Sequence, residues 1–144
     1  MRSYFSFFCI FFFRLISPPP SPPAGFNWDV LSNDNPVQDD PNLEDMNVVQ
    51  LSDDFAVQMR QYASAFHHNE VLVPMGCDFE YENADEDFKN IEKLMAYINA
   101  RSERYRMQLI YSTPTQYLAA VRGSTVSSLN YTVTNNDFIP NASA

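Results

Sequence analysis

Apolar positions in the middle of the chain follow two periods, and the two periods alternate. Phe55, Met59, Tyr62, Ala63 and Phe66 fall at i, i+4, i+7, i+8 and i+11, the spacing that lines one face of a helix. Ser52 can cap that helix, with Asp53 and Asp54 in its first turn. Val71 to Met75 is then apolar without a break and predicts a strand over residues 70–75. The next helix is the clearest in the chain, with Phe88, Ile91, Leu94, Met95 and Ile98 as its buried stripe. Asp85, Glu86 and Asp87 gather at its start and Arg101, Arg104 and Arg106 near its end, as the helix dipole favours. "RMQLIYS" predicts a strand over residues 106–111. "STPTQYLAAVRG" predicts a third helix, with Thr113 as cap, Pro114 at the first helical position and Gly123 at the end.

Helix, strand, helix, strand, helix is the order of an α/β architecture with a parallel sheet covered by helices. Two strands are few for a complete parallel domain, so the pattern predicts a piece of a larger sheet. The flanks are different. Residues 17–50 are rich in Pro, Asn and Asp and read as an irregular segment, which leaves 51–144 as the partial β/α portion. The end, "TVSSLNYTVTNNDFIPNASA", reads as loop or short strand.

Residues 1–16 form a Phe-rich tail, "MRSYFSFFCIFFFRLI". Its positive start and apolar run resemble a secretory signal core, too short for a stable membrane span. Arg14 follows the run, and "PPPSPP" beyond it offers no small-x-small cleavage site. Phenylalanine codons are pyrimidine-rich, so translation through an intron's pyrimidine tract would give the same run. Both readings, signal-like and non-native coding, stand at this point.

Composition narrows the function classes. A formal charge of −9 over 144 residues leaves no basic surface to displace counterions from phosphates, which argues against nucleic acid. Hydrophobic residues at 45% argue against general disorder. Cys9 and Cys77 make no disulfide framework, so cysteine usage leaves the redox compartment open.

Carboxylates crowd together where the first predicted strand ends: Asp78, Glu80, Glu82, Asp85, Glu86 and Asp87. On residue type alone, a loop aspartate is usually a solvated turn former. The string around it is more specific. "MGCDFEYENADEDFKNIEKLMAYINA", then "YSTPTQYL", the upstream "PPAGFNWDVLSNDNPVQDDP" and the later "NNDFIP" together resemble the lysosomal-type α-mannosidases of glycoside hydrolase family thirty-eight. The resemblance runs from about residue 18 to 140. It implies a fragment of a parallel β/α, barrel-like glycosidase catalytic domain in a lysosomal or secretory protein. It also implies mannose-containing oligosaccharides as substrates, hydrolysed with retention, and a zinc ion in the intact enzyme. The family's acid/base position falls on Asp78.

Other family strings are absent: no His-x-Asp pair near the start, no Trp-Gln-x-Asp-Pro segment, no later His-His-Asp. The expectation is therefore a middle slice with no metal ligands, inactive by itself. The alternative is a non-catalytic fragment that binds sugar or a partner. His67 and His68 precede the Met-Gly-x-Asp-Phe string and, as neighbours on a helix, would point to different sides. Where relatives often carry a pair of cysteines, this chain has Asn27 and Ser32; where they often carry an aromatic residue, it has Asp87. Asn130 and Asn141 lie in glycosylation sequons, compatible with a lumenal glycoprotein.

Overall fold

The computed structural model describes residues 5–10 (as backbone), 22–28, 34–66, 68–76 and 81–123. Its elements are β1 (Phe5–Ile10), α1 (Val48–Ala63), β2 (Glu70–Pro74), α2 (Ala84–Asn99), the short α3 (Ser102–Tyr105), β3 (Met107–Tyr111) and α4 (Pro114–Gly123). The three strands form a parallel sheet in the order β2-β1-β3. This is an α/β arrangement, and among the described residues the sheet does not close into a barrel.

The periodicity predicts two strands, and among the described residues the sheet has three. The extra one lies in the Phe-rich tail: Phe7 pairs with Val71 on one side and Leu109 on the other, and Phe8 with Leu72 and Ile110. Inner strands of parallel sheets are usually buried on both faces, so they read as continuous apolar runs without alternation. Such a run is hard to tell from a signal core.

One face of the sheet carries the core. Val71 and Val73 of β2 and Met107 and Leu109 of β3 are buried against Phe55, Met59 and Ala63 of α1 and Ile91, Leu94 and Ile98 of α2. Removing a side chain such as Phe55, Ile98 or Leu109 from water contributes roughly 1.5–3 kcal/mol each, before ordering costs. On β3 the alternate residues Gln108 and Ile110 are exposed, so the two helices cover the other face.

Helix boundaries move in ways that physical causes explain. α1 begins one turn before Ser52, after Asn47. Asn47 does not cap with its side chain, because both ends of its amide are used elsewhere. Its Oδ1 accepts from the Gln38 N–H at 2.8 Å and its Nδ2 donates to the Pro36 carbonyl at 2.9 Å. α1 also stops at Ala63, so Phe66 lies beyond the helix and packs edge-on against the exposed Tyr62, with ring centroids 5.1 Å apart. Phe88, expected in the stripe of α2, is likewise exposed.

The three arginines divide. Arg101 lies 3.7 Å over the Tyr97 ring, just past the end of α2. Arg104 instead reaches α1, donating to both carboxylate oxygens of Asp53 at 2.8 and 2.9 Å. Arg106, at φ 53°, closes α3 in the left-handed region. The predicted start of α4 is present as a reciprocal cap: the Gln116 N–H donates to Thr113 Oγ1 at 3.3 Å, and the Thr113 N–H to Gln116 Oε1 at 2.9 Å.

Ser52 is fully buried in α1, and its hydroxyl has no hydrogen-bond partner among the described residues. Ala is the better helix former and buries no polar atom. Ser52→Ala is expected to raise unfolding stability by about 0.5–1.5 kcal/mol, read as a higher urea midpoint at unchanged slope. A lower midpoint would show that the hydroxyl is satisfied.

Candidate active site

The candidate acid/base, Asp78, falls in the sequence between β2 and α2. Residues 77–80 lie outside the described residues, as do the sequon asparagines Asn130 and Asn141. The residues on either side, 75–76 and 81–83, are described. Met75 and Gly76 are buried at the carboxyl end of β2, and Gly76 has φ 151°, a conformation that side chains other than hydrogen rarely allow. At the other end Tyr81 sits at φ 67°, in the left-handed region that costs a bulky residue about 1–3 kcal/mol. The Tyr81 hydroxyl donates to the Met75 carbonyl at 2.5 Å, linking the end of β2 to the residues that lead into α2. Its ring lies 5.9 Å from that of Phe88, one turn into α2.

α2 then opens with Asp85, Glu86 and Asp87 in its first turn, and Asp87 is buried at 6% exposure. Asn83, the residue before the helix, accepts the Glu86 N–H on its carbonyl and donates from its amide to the Glu86 carboxylate, both at 3.0 Å.

The Asn-rich segment is fastened to the same helix. Asn90, 5% exposed, accepts the Val37 N–H on Oδ1 at 2.6 Å and donates from Nδ2 to the Glu86 carbonyl at 2.9 Å. Lys93 donates to the Val37 carbonyl at 3.1 Å and pairs with Asp39 at 2.9 Å. Further up, the Asn27 N–H donates to the Asp34 carboxylate at 2.9 Å and the Asp34 N–H to the Asn27 carbonyl at 3.1 Å. Between this segment and α2 lies an open cleft of about 770 Å³, walled by Asn35, Gln38, Asp45, Asn83, Glu86 and Lys89 among others. Amides and charges of both signs suit a neutral, hydrogen-bonding ligand better than a strongly charged one.

Asn90, Lys93 and Tyr81 have no role assigned from the sequence, although all three sit in the string that runs from Met75 to Ala100. What could have found them is their position: an Asn and a Lys three residues apart on α2 share one face.

His68 is not on a helix, because α1 ends at Ala63; it lies in a bend before β2, its ring 5.7 Å from Phe66 and 6.2 Å from Tyr117. His67 lies outside the described residues.

Residues 6–143 match the Glycosyl hydrolases family 38 N-terminal domain. The chain belongs to this family. It is 42% identical over 120 residues to the lysosomal alpha-mannosidase of Dictyostelium discoideum, an alignment covering 83% of this chain and 11% of that protein. It is 34% identical over 123 residues to the human lysosomal alpha-mannosidase, covering 85% and 12% respectively. The alpha-mannosidase of Canavalia ensiformis is 37% identical over 99 residues, covering 69% and 10%. The chain thus spans about a tenth of the length of the relatives it matches. The family match begins inside the Phe-rich stretch that supplies β1.

Among the described residues no three His, Cys, Asp or Glu side chains come together as a metal ion requires. The zinc that the family resemblance implies therefore has no fitting ligand set among those residues. Also among the described residues, no helix is long and apolar enough to cross a membrane.

Two measurements test the fastening of the Asn-rich segment. Asn90→Leu strands the buried Val37 N–H, and the expected loss is about 1–3 kcal/mol, with faster proteolysis between residues 34 and 47. An unchanged cleavage rate would mean that the segment is held elsewhere. The Lys93 hydrogen bond, opposed by desolvation and helped by the Lys93 charge, holds the Asp39 carboxyl below its ordinary value of 3.8. A lowered folded-state pKa makes this contribution present above 3.8 and lost as pH falls through the folded value. The stability gap between wild type and Lys93→Met should therefore narrow below that pH in an acid titration, and a constant gap would exclude the ion pair.

Proposed function

We propose that the chain is a segment of the catalytic domain of an α-mannosidase that removes terminal α-linked mannose with retention, and that Asp78 is its acid/base. The observation that carries this reading is the Met-Gly-x-Asp-Phe string, set directly after a strand of a parallel sheet in a chain that matches the family over residues 6–143. In parallel α/β proteins functional groups gather on the loops at the carboxyl ends of the strands.

Retaining hydrolysis needs two carboxyl groups. One attacks the anomeric carbon, while the other protonates the leaving oxygen and then takes a proton from the water that releases the sugar. Asp78 supplies the second of these roles. The attacking carboxylate belongs to family strings that this sequence does not contain, so the chain by itself holds half of the machinery and is not expected to turn over. Zinc, too, would be held by residues of those other strings. Mannose-containing glycans as substrate and a lysosomal or secretory compartment follow from the same family reading; relatives in Dictyostelium and human are lysosomal alpha-mannosidases by name.

A general acid matters most when the leaving group is poor. In the family polypeptide with the missing strings supplied, Asp78→Asn keeps the shape but can neither donate nor accept the proton. Activity on natural mannosides should fall on the order of a hundredfold or more, since acid–base contributions run roughly 10²–10⁴-fold. With a highly activated aryl mannoside, formation of the glycosyl-enzyme should survive while its hydrolysis slows. The expected trace is a burst of aryl alcohol followed by slow turnover. Equal losses on both substrates, with no burst, would mean that Asp78 positions the sugar and is not the acid.

A further inference from the structure

The cleft between the Asn-rich segment and α2 has a fixed floor and a free rim. Val37 and Asn90, both buried, form part of the floor, joined by the bond from the Val37 N–H to Asn90 Oδ1 at 2.6 Å. Most polar groups around them already have partners. Asn47 is engaged with Pro36 and Gln38, Asn83 with Glu86, Lys89 with Asp85 at 3.5 Å, and Lys93 with Asp39 at 2.9 Å. Three side chains in the lining are left over. The amides of Asn35 and Gln38 and the carboxylate of Asp45 make no hydrogen bond among the described residues. Asn35 and Asp45 are exposed and Gln38 is half-buried, so all three reach solvent from a backbone that is held in place.

An amide offers donors and an acceptor, a carboxylate offers acceptors alone, and a hydroxyl is both donor and acceptor. Neighbouring hydroxyls of a sugar therefore match all three free groups, with no charge to strip of water. An anion would meet Asp45 and Glu86, and a cation would compete with Lys89 and Lys93 for their carboxylates. The volume of about 770 Å³ lies within the range of about 300–1,000 Å³ usual for small-molecule sites. We propose that this cleft binds a neutral sugar unit of a glycan, held through vicinal hydroxyls by the Asn35 and Gln38 amides and the Asp45 carboxylate. The choice of mannose as that sugar rests on the α-mannosidase reading above; the polyol chemistry rests on the cleft alone. Because Asn90, Asn47 and Lys93 already fasten the segment, binding does not have to order it, which removes one cost of association.

The test titrates the full 144-residue chain with an α-linked mannobiose and with the glucose disaccharide of the same linkage, which differ only in the orientation of the 2-hydroxyls. Backbone amide shifts are followed by nuclear magnetic resonance. Mannobiose should give saturable shifts at residues 34–47 and 83–93, and the glucose disaccharide weaker ones. Gln38→Ala should weaken binding about three- to tenfold, and Asp45→Ala, which removes a charged acceptor, about tenfold or more. Both positions reach solvent, so the amide shifts of α1 and β3 in the free variants should match the wild type. Saturable shifts that survive undiminished in both variants overturn the proposal, because the named groups would not be the ones that bind. Saturation by neither disaccharide also overturns it, and leaves the acid/base reading of Asp78 to its own kinetic test. Equal binding of the two sugars, lost in the variants, upholds a polyol site and overturns its assignment to mannose.

Discussion

The parallel ladder through β1 is the constraint on which the other contacts depend. β2 and β3 do not touch as neighbours; each pairs with Phe5–Ile10, so the middle strand alone sets their relative register. That register puts Val71 and Leu109 level with Phe7. The buried residues of both outer strands consequently face the same pair of helices. Slipping one strand by a single residue would exchange its buried and exposed sets, turning Ile110 and Gln108 toward α1 and α2 and Leu109 away from them. The register also fixes where β2 ends, and with it the start of the turn at Met75 and Gly76.

The Asn-rich segment is joined to this sheet-and-helix unit through side chains rather than through more backbone pairing. Among the described residues the segment 34–38 has no strand beside it, yet Val37 is buried and its N–H and carbonyl must be satisfied. Asn90 and Lys93 of α2 do this, and Asn47 repeats the device for Pro36 and Gln38 at the start of α1. Buried polar pairs of this kind contribute modestly when made and cost more when broken. They therefore specify one loop conformation more than they add net stability.

The parts legible in the sequence were those whose periodicity reports burial directly. α2, β2 and β3 stand where their patterns put them, and the Thr113 cap is made as its residue types imply. What escaped had a different physical origin. β1 has no alternation to read, because an inner parallel strand needs none. The start of α1 was displaced because Asn47, a capping residue type, spends its amide on the loop, and Ser52, another, was drawn inside the helix. Asn90 and Tyr81 act across sequence gaps or against unusual backbone angles, and neither leaves a periodic trace. The family strings mark the neighbourhood of the candidate site; they do not say which residues fasten the Asn-rich segment beside it.

One departure from the family pattern shows how far such side-chain ties can go. The resemblance puts a cysteine pair at Asn27 and Ser32 in many relatives. A disulfide there would restrict the unfolded chain and typically contributes about 2–4 kcal/mol. This chain instead closes the same stretch with two hydrogen bonds between Asn27 and Asp34, each contributing about 0.5–1.5 kcal/mol net and more where a charge takes part. The local tie is weaker than a covalent one, but it is not alone. The Trp28 indole N–H donates to the Asn35 carbonyl at 3.0 Å, and Trp28 and Phe26 are buried against the α1 core, with the Phe26 ring 5.1 Å from that of Phe55. Aromatic burial holds one end of the segment and Asn90 the other. The tie that a disulfide would supply is here spread over packing and hydrogen bonds among Phe26, Trp28, Asn27, Asp34 and Asn35, with no cysteine at position 27 or 32.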